Sequence, residues 1–297
     1  MELAGHPAPV HGGSNRVYAC TASNGQHYYL KRKSDKGKIE QEIVIHHALS
    51  RRGLYASHPA ATVAGKPYAR HENDLFCLYE PVEGRVVSVF DETVAFQYGK
   101  AIALLHLGLS EIPQSGLFST MNIEKQMEEW AIPAVEAALD SSRQAAFNSL
   151  AWELRLHGLD RLDALPTQLI HRDPNPTNLL LREDGSVGYL DFEIATFGLR
   201  IFDIAYCSTG MLMSGYRDEA FRSTWTGLLR GVLDGYQSEC KLERQELECL
   251  FDTIVAIQLI FGAYFIGTSK ELSELNISAL FWIVSRKQDI LSAAGCF

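Results

Sequence analysis

Polar and apolar residues alternate along 26–31, the pattern of a half-buried strand. Ser23-Asn24-Gly25 supplies a hairpin signal between that run and Arg16-Val17-Tyr18-Ala19-Cys20. Upstream, Val10-His11-Gly12-Gly13-Ser14-Asn15 is a glycine-rich turn. From 37 to 49 the spacing turns helical, with Ile39, Ile43 and His46 or His47 on one face. An apolar strand, Leu75-Phe76-Cys77-Leu78-Tyr79-Glu80, ends in Pro81-Val82-Glu83-Gly84, which breaks the sheet and opens a connector. Val94, Tyr98, Ile102, Leu105 and Leu109 then recur at helical spacing, and further amphipathic helices are predicted over 122–139 and 142–159. Ala164-Leu165-Pro166 interrupts the pattern. Between 169 and 203, two apolar runs flank the turn signal Asp184-Gly185. Beyond Asp203 helices are predicted over 217–237, 243–268 and 272–294, with Gly231, Gly235 and Gly267 as ends or close-packing points.

Composition narrows the class. The chain has 297 residues, enough for two lobes, and its 46% hydrophobic content is ordinary for a globular protein. Cys20, Cys77, Cys207, Cys240, Cys249 and Cys296 form no CxxC pair, so reduced thiols and a cytoplasmic location are expected. The first residues lack the basic and apolar regions of a signal peptide. The most apolar stretch, 254–266, is short of the roughly 20 residues of a membrane span. The net charge of −9 divides into +3 over 1–86 and −12 over 87–297. That balance disfavours nucleic acid and suits a slightly basic nucleotide-facing part joined to an acidic part that meets a cationic or amino-bearing acceptor.

The residues 169–203 carry the chemistry. His171, Asp173 and Asn178 form a His-x-Asp-x-x-x-x-Asn run, and the second apolar run ends at Asp191. Pro174 and Pro176 bias the residues before them toward extended backbone, which stiffens the loop. A stiff loop suits a general base held within reach of a hydroxyl, the role given to Asp173. Asn178 and Asp191 offer oxygen ligands to Mg²⁺. Together they are the set phosphoryl transfer needs. His171 is expected to support the loop, and Asp203 to brace it from within through backbone N–H groups. Gly12, Gly13, Ser14 and Asn15 could bring backbone N–H groups to phosphate oxygens. Lys31, at the end of its strand, could reach the α/β-phosphates, with Glu42 (Glu40 as competitor) pairing with it from the helix. The Glu80 carbonyl and Val82 amide are placed to meet an adenine edge at the break after the strand. Glu128, Glu129, Glu193 and Asp234 are the carboxylates considered for an acceptor's ammonium group.

His171-Arg172-Asp173-Pro174-Asn175-Pro176-Thr177-Asn178, then Leu190-Asp191-Phe192-Glu193, then Phe202-Asp203-Ile204-Ala205, resemble the aminoglycoside phosphotransferase/choline kinase-like family of the protein-kinase-like superfamily, which includes type II homoserine kinase-like members. Gly12-Gly13-Ser14-Asn15 corresponds to that family's phosphate loop, Lys31 to its strand lysine, Glu42 to its helix glutamate and 80–84 to its hinge. The resemblance implies an α+β, bilobal kinase-like fold: an N-terminal nucleotide-binding lobe over 1–83, an antiparallel sheet plus helix, and a larger, mostly helical catalytic and acceptor-binding lobe over 84–297. It implies ATP, sometimes GTP, with Mg²⁺, and O-phosphorylation of an amino alcohol, a homoserine-like amino acid, an amino sugar or an aminoglycoside-type antibiotic. The alternatives are a protein serine/threonine kinase, suggested by His171-Arg172-Asp173, and a nucleotide-binding pseudokinase. The 11 residues between Asp191 and Asp203 leave little room for a peptide platform, which favours the small-molecule enzyme.

Overall fold

The computed structural model of the chain describes residues 8–9, 17–33 and 35–296. Gly12, Gly13, Ser14 and Asn15 lie outside the described residues. In chain order the first part holds strands β1 (Ala8–Pro9), β2 (Val17–Thr21) and β3 (His27–Lys33), helix α1 (Lys36–Ser50), and strands β4 (Tyr55–Ala56), β5 (Ala69–His71) and β6 (Asp74–Tyr79). Five of these strands form an antiparallel sheet ordered β1-β2-β3-β6-β5. Register pairs Lys31 with Cys77 and Lys33 with Leu75, so the two lysines share the face that carries the buried Leu75, Cys77 and Tyr79. Ile39 of α1 packs on that face. The α1 start is fixed by Asp35, whose carboxylate accepts the Gly37 amide at 2.8 Å.

The remainder is helical around two small sheets. Helix α2 (Glu92–Leu109) is capped by Asp91, which accepts the Val94 amide. A kinked run, α3 (Ile123–Gln126) and α4 (Ile132–Ala138), and a second, α5 (Ser141–Glu153) and α6 (Leu159–Asp163), each pass through a π-turn. Strands β7 (Thr167–Ile170), β8 (Leu179–Leu181), β9 (Val187–Tyr189) and β10 (Thr196–Leu199) follow. The last part is α7 (Arg200–Gly215), α8 (Glu219–Glu239), α9 (Arg244–Glu248), α10 (Leu250–Ile266), α11 (Lys270–Val284) and α12 (Lys287–Ala293). The β8–β9 hairpin turns at Gly185, whose φ of +79° suits glycine, with Asp184 accepting the Ser186 amide. β4 adds to the same hairpin in parallel, pairing Tyr55 with Gly188 and Ala56 with Tyr189. β7 and β10 pair antiparallel, setting the segments that precede His171 and Arg200 side by side.

Three expectations for the helical part change. A helix, α7, runs from Arg200, where none was expected before 217. The helix expected over 243–268 divides at Cys249, and the one over 272–294 divides at Ser285-Arg286. Periodicity does not register these short breaks, because apolar residues continue on both sides of each. Among the described residues no helix is long and apolar enough to cross a membrane; α10 is buried on almost every side by its neighbours.

Gly231 and Gly235 are close-packing points, and Gly99 joins them. A Cβ on Gly99 would stand 1.9 Å from the Val232 carbonyl oxygen, and one on Gly235 2.0 Å from that of Phe96. α2 and α8 therefore touch backbone to backbone. Gly99→Ala must separate them, and we expect a loss of about 1–3 kcal/mol from the overpacking, read as a lower urea midpoint with an unchanged slope. An unaltered midpoint would refute this account of the contact.

Candidate functional site

The segment leaving β7 turns sharply. Arg172 has φ +69° and Asp191, leaving β9, has φ +59°, both in the left-handed region that costs a side-chain-bearing residue roughly 1–2 kcal/mol. Such strain persists only where the surroundings impose it. Asp203 imposes it on the first loop. It is 0% exposed, its Oδ2 accepts the His171 amide at 2.8 Å, and its Oδ1 accepts the Arg172 amide at 2.9 Å. This is the bracing expected of it. Oδ2 also meets His106 Nε2 at 3.0 Å, and His106 Nδ1 meets the Tyr236 hydroxyl at 2.9 Å, so the loop is tied through the core to α2 and α8. His171 acts within the loop as expected. Its Nε2–H donates to the Leu190 carbonyl (2.8 Å) while Nδ1 faces the Asp173 amide (3.3 Å), joining the loop to the segment that carries Asp191.

Asn178 ends a 3₁₀ turn, Pro176–Asn178, capped by the Asn175 side chain. Its Nδ2 donates to the Asp173 carbonyl (3.0 Å) and to Asp173 Oδ2 (3.1 Å). The structure thus brings Asp173 and Asn178 into direct contact. Burial pushes the Asp173 carboxyl above the usual carboxylate range; the hydrogen bond from Tyr206 and the proximity of His171 oppose that, and Asp191 adds to it.

Asp191 Oδ1 is buried and has no hydrogen-bond partner. The nearest cation is Lys31 Nζ at 3.8 Å. A buried carboxylate oxygen with no hydrogen bond, facing Lys31 only at 3.8 Å, fits a hard cation as a closer partner. Asn178, whose amide hydrogens are spent on Asp173, has its amide oxygen to offer as a second ligand. Among the described residues no cluster of three or more His, Cys, Asp or Glu could hold a metal by itself. A cation here would need oxygens from a bound phosphate, as Mg²⁺ with one or two protein ligands does.

The lysines correct one expectation. Lys31 and Glu42 do not pair. Lys33 takes Glu42, Nζ to Oε1 at 2.5 Å, and is 1% exposed. Glu40 pairs instead with Lys36 on the surface, at 3.1 Å. The second Glu42 oxygen accepts the Tyr79 hydroxyl. Lys33 also meets Glu193 at 3.4 Å. Burial works against the Lys33 charge, but Glu42, Glu193 and Asp191 outweigh it, and its pKa stands above the usual lysine value. Read by itself, Lys31-Arg32-Lys33 looks like a solvated strand end. The period of two would have found Lys33, since it places 31 and 33 on one face and Arg32 on the other. Glu80 is exposed and Val82 half-buried in the irregular segment after β6.

Beside the loop lies a cavity of about 310 Å³ lined by Asn175, Tyr206, Gln258, Phe261, Phe265 and Asn276, among others. Tyr206 is shared between this cavity and Asp173. The carboxylates considered for an acceptor lie elsewhere. Glu128 pairs with Arg155 at 2.9 Å, Glu129 with Lys125 at 3.7 Å, and Glu193 with Lys33. Asp234 lines a larger hollow of about 890 Å³ between α2, α8 and the β8–β9 turn; neither hollow is lined by Asp173, Asn178 or Asp191, and the smaller one is the one that shares Tyr206 with Asp173.

Residues 7–246 match the phosphotransferase enzyme family known as APH. The chain belongs to this family. Homoserine kinase of Azorhizobium caulinodans is 31% identical over 157 residues, covering 52% of this chain and 46% of that protein. Homoserine kinase of Sinorhizobium medicae is 26% identical over 207 residues, covering 70% and 61%. The phosphotransferase chain thus spans about half to three-fifths of the length of these curated relatives. Among solved structures, a microcompartment-associated aminopropanol kinase superposes with TM-score 0.73 at 16% identity, covering 98% of this chain and 94% of that one. An amicoumacin kinase in complex with AMP-PNP and Ca²⁺ gives 0.72 at 18%, covering 94% and 88%. The family and these neighbours make the fold bilobal and kinase-like, an antiparallel N-terminal sheet with its helix above a larger helical part.

Proposed function

We propose that the chain is a small-molecule kinase that transfers the γ-phosphoryl group of ATP to the hydroxyl of a small acceptor. The observation that carries this reading is the contact of Asp173 with Asn178 near an Asp191 oxygen that has no hydrogen bond, with a cavity at Tyr206. The division into a nucleotide-binding lobe over 1–83 and a catalytic lobe over 84–297 belongs to the same proposal. Adenine would lie against the Glu80 carbonyl and Val82 amide, and the phosphates against Gly12, Gly13, Ser14 and Asn15.

Asp173 receives the acceptor's hydroxyl proton as the new O–P bond forms and the bond from phosphorus to the β–γ bridging oxygen breaks. Asn178 holds the Asp173 carboxylate in place for that transfer. Lys31, across from Asp191, supplies positive charge toward the phosphates, and Lys33, clamped by Glu42, fixes the strand that carries it. Asn178 and Asp191 would hold Mg²⁺, which when bound neutralises phosphate charge. The short path from Asp191 through β10 to α7 supports a small acceptor over a peptide. The cavity volume, at the low end for ligand sites, supports an acceptor of amino-alcohol or amino-acid size, the class named for the homoserine and aminopropanol kinases, over a multi-ring antibiotic. An ammonium partner among the acidic residues has no support, since none of those considered reaches the cavity. Six free thiols suit a reducing compartment and a cytoplasmic location.

The test is nucleotide consumption with ATP and with GTP against a panel of amino alcohols, amino acids, diols, sugars and aminoglycosides, each hit examined by phosphorus NMR. Transfer to a small hydroxyl compound is expected. Transfer to protein alone, or nucleotide binding without turnover across the panel, would overturn the reading.

A further inference from the structure

One wall of the cavity beside Tyr206 belongs to the loop that carries Asp173. Asn175 lies on that wall, two residues beyond Asp173. Pro174 and Pro176 flank it, and its backbone is extended, with φ −58° and ψ +143°. The side-chain amide has a fixed sense. Oδ1 accepts the Thr177 amide at 3.1 Å and the Thr177 hydroxyl at 3.0 Å. Reversing it would set its hydrogens against the Thr177 N–H, so the nitrogen is the end turned away. Among the described residues nothing accepts the two Nδ2 hydrogens, and the nitrogen is not enclosed. Helix α7 shows where it stands. A Cβ built on Gly210, which lines the same cavity, would lie 3.5 Å from Asn175 Nδ2 and 2.8 Å from Pro176 Cδ. Glycine lets α7 close on the loop there and puts no side chain of its own over the amide.

The other side-chain donors of the lining each have an acceptor within the chain. Thr209 donates to the Ala205 and Tyr206 carbonyls, and Ser214 to that of Met211. Gln258 donates to Asn276, Asn276 to the Leu272 carbonyl, and Tyr206 to Asp173. No Lys, Arg or His lines the cavity. Asn175 is therefore the lining side chain with amide hydrogens left for a ligand. An N–H pair without an acceptor complements oxygen lone pairs and opposes other hydrogens. Resting on the reading of this cavity as the acceptor site, we infer that Asn175 is a specificity-determining residue. Its Nδ2 donates to a second oxygen of the acceptor, a carbonyl or carboxylate oxygen, and holds the molecule with its reactive hydroxyl toward Asp173. The acceptor class is thus a small alcohol that also carries a carboxamide or carboxylate group.

Three matched probes test this: 3-hydroxypropanamide, 3-hydroxypropanoate, and 3-methylbutan-1-ol, which keeps the shape and the hydroxyl but has no second oxygen. Binding to the Mg·ATP-analogue complex is read by saturation-transfer NMR titration, and turnover with Mg·ATP by phosphorus NMR. Asn175→Asp keeps the oxygen that meets Thr177 and caps as well as asparagine, so the urea midpoint is expected to hold while both amide hydrogens are gone. It is expected to weaken 3-hydroxypropanamide about 10- to 100-fold and 3-hydroxypropanoate further, with 3-methylbutan-1-ol within about twofold of wild type. Asn175→Ser, also a good cap and uncharged, is expected to weaken the same two probes about tenfold and guards against an Asp variant that folds poorly. A loss confined to one of the two shows which oxygen the site takes and upholds the inference. Variants that bind both as wild type does, or a wild type that binds neither, would overturn it. So would a fall in ATP-analogue affinity relative to ADP with the probes unaffected, which would put the amide on the γ-phosphate. Selective binding of the oxygen-bearing probes with no phosphorylation of any acceptor would sink the kinase reading and leave the role of Asn175 standing.

Discussion

Asp173→Asn is expected to lower kcat for phosphoryl transfer by about 10²–10⁴-fold, the span of a lost general base, with nucleotide affinity unchanged. The substitution is close to isosteric and keeps an acceptor oxygen for Asn178, so the loop stays in place while the proton loses its destination. Steady-state kinetics with the acceptor identified by the panel, alongside nucleotide titration, measures both. A variant with wild-type kcat would remove Asp173 from the reaction. The wild-type pH profile carries a companion signature. Burial raises the Asp173 pKa, and the base works only when deprotonated, so activity falls as pH drops through that raised value, at higher pH than for an ordinary aspartate near 3.9. Tyr206→Phe removes the hydrogen bond that favours the carboxylate and is expected to move the acid limb higher still. A limb that stayed put, or moved down, would contradict the assigned contact.

The second large effect concerns stability. Asp203→Ala is expected to cost about 3–5 kcal/mol, the range for removing one partner of a buried polar pair. The change strands the His171 and Arg172 amides and the His106 ring in a fully enclosed place. Equilibrium urea unfolding should show a large fall in midpoint. Activity measured below the new transition should fall as well, because the loop that positions Asp173 loses its anchor and small misplacements of a base are costly. Stability within about 1 kcal/mol of wild type would mean that other contacts hold the loop.

How much of this was legible in the sequence depends on the range of the signal. The contact of Asp173 with Asn178, the Asp184-Gly185 hairpin and the bracing role of Asp203 were readable, because short-range patterns and one specific motif set them. Lys33 was missed because three consecutive basic residues look alike until strand register puts two of them on the core face and one in solvent. Strand β10 was missed because its four residues are all buried, and an apolar run without alternation carries no period. The acidic acceptor site was expected from net charge, a sum over the surface that says nothing about which carboxylates face inward.

The parallel pairing of β4 with β9 has one further consequence. Residues that leave the end of α1 are hydrogen-bonded to the hairpin whose far end carries Asp191, while Asp203 grips the loop from the other side. The helix that supplies Glu42 and the segments that supply Asp173 and Asp191 are thereby coupled into one rigid frame. In kinases that act as signal relays, a movable helix and a long, orderable loop serve as the switch. Here one side is held by the main-chain pairing of β4 with β9 and the other by the Asp203 carboxylate on the His171 and Arg172 amides. A frame held this way leaves a helix little freedom to swing between two positions.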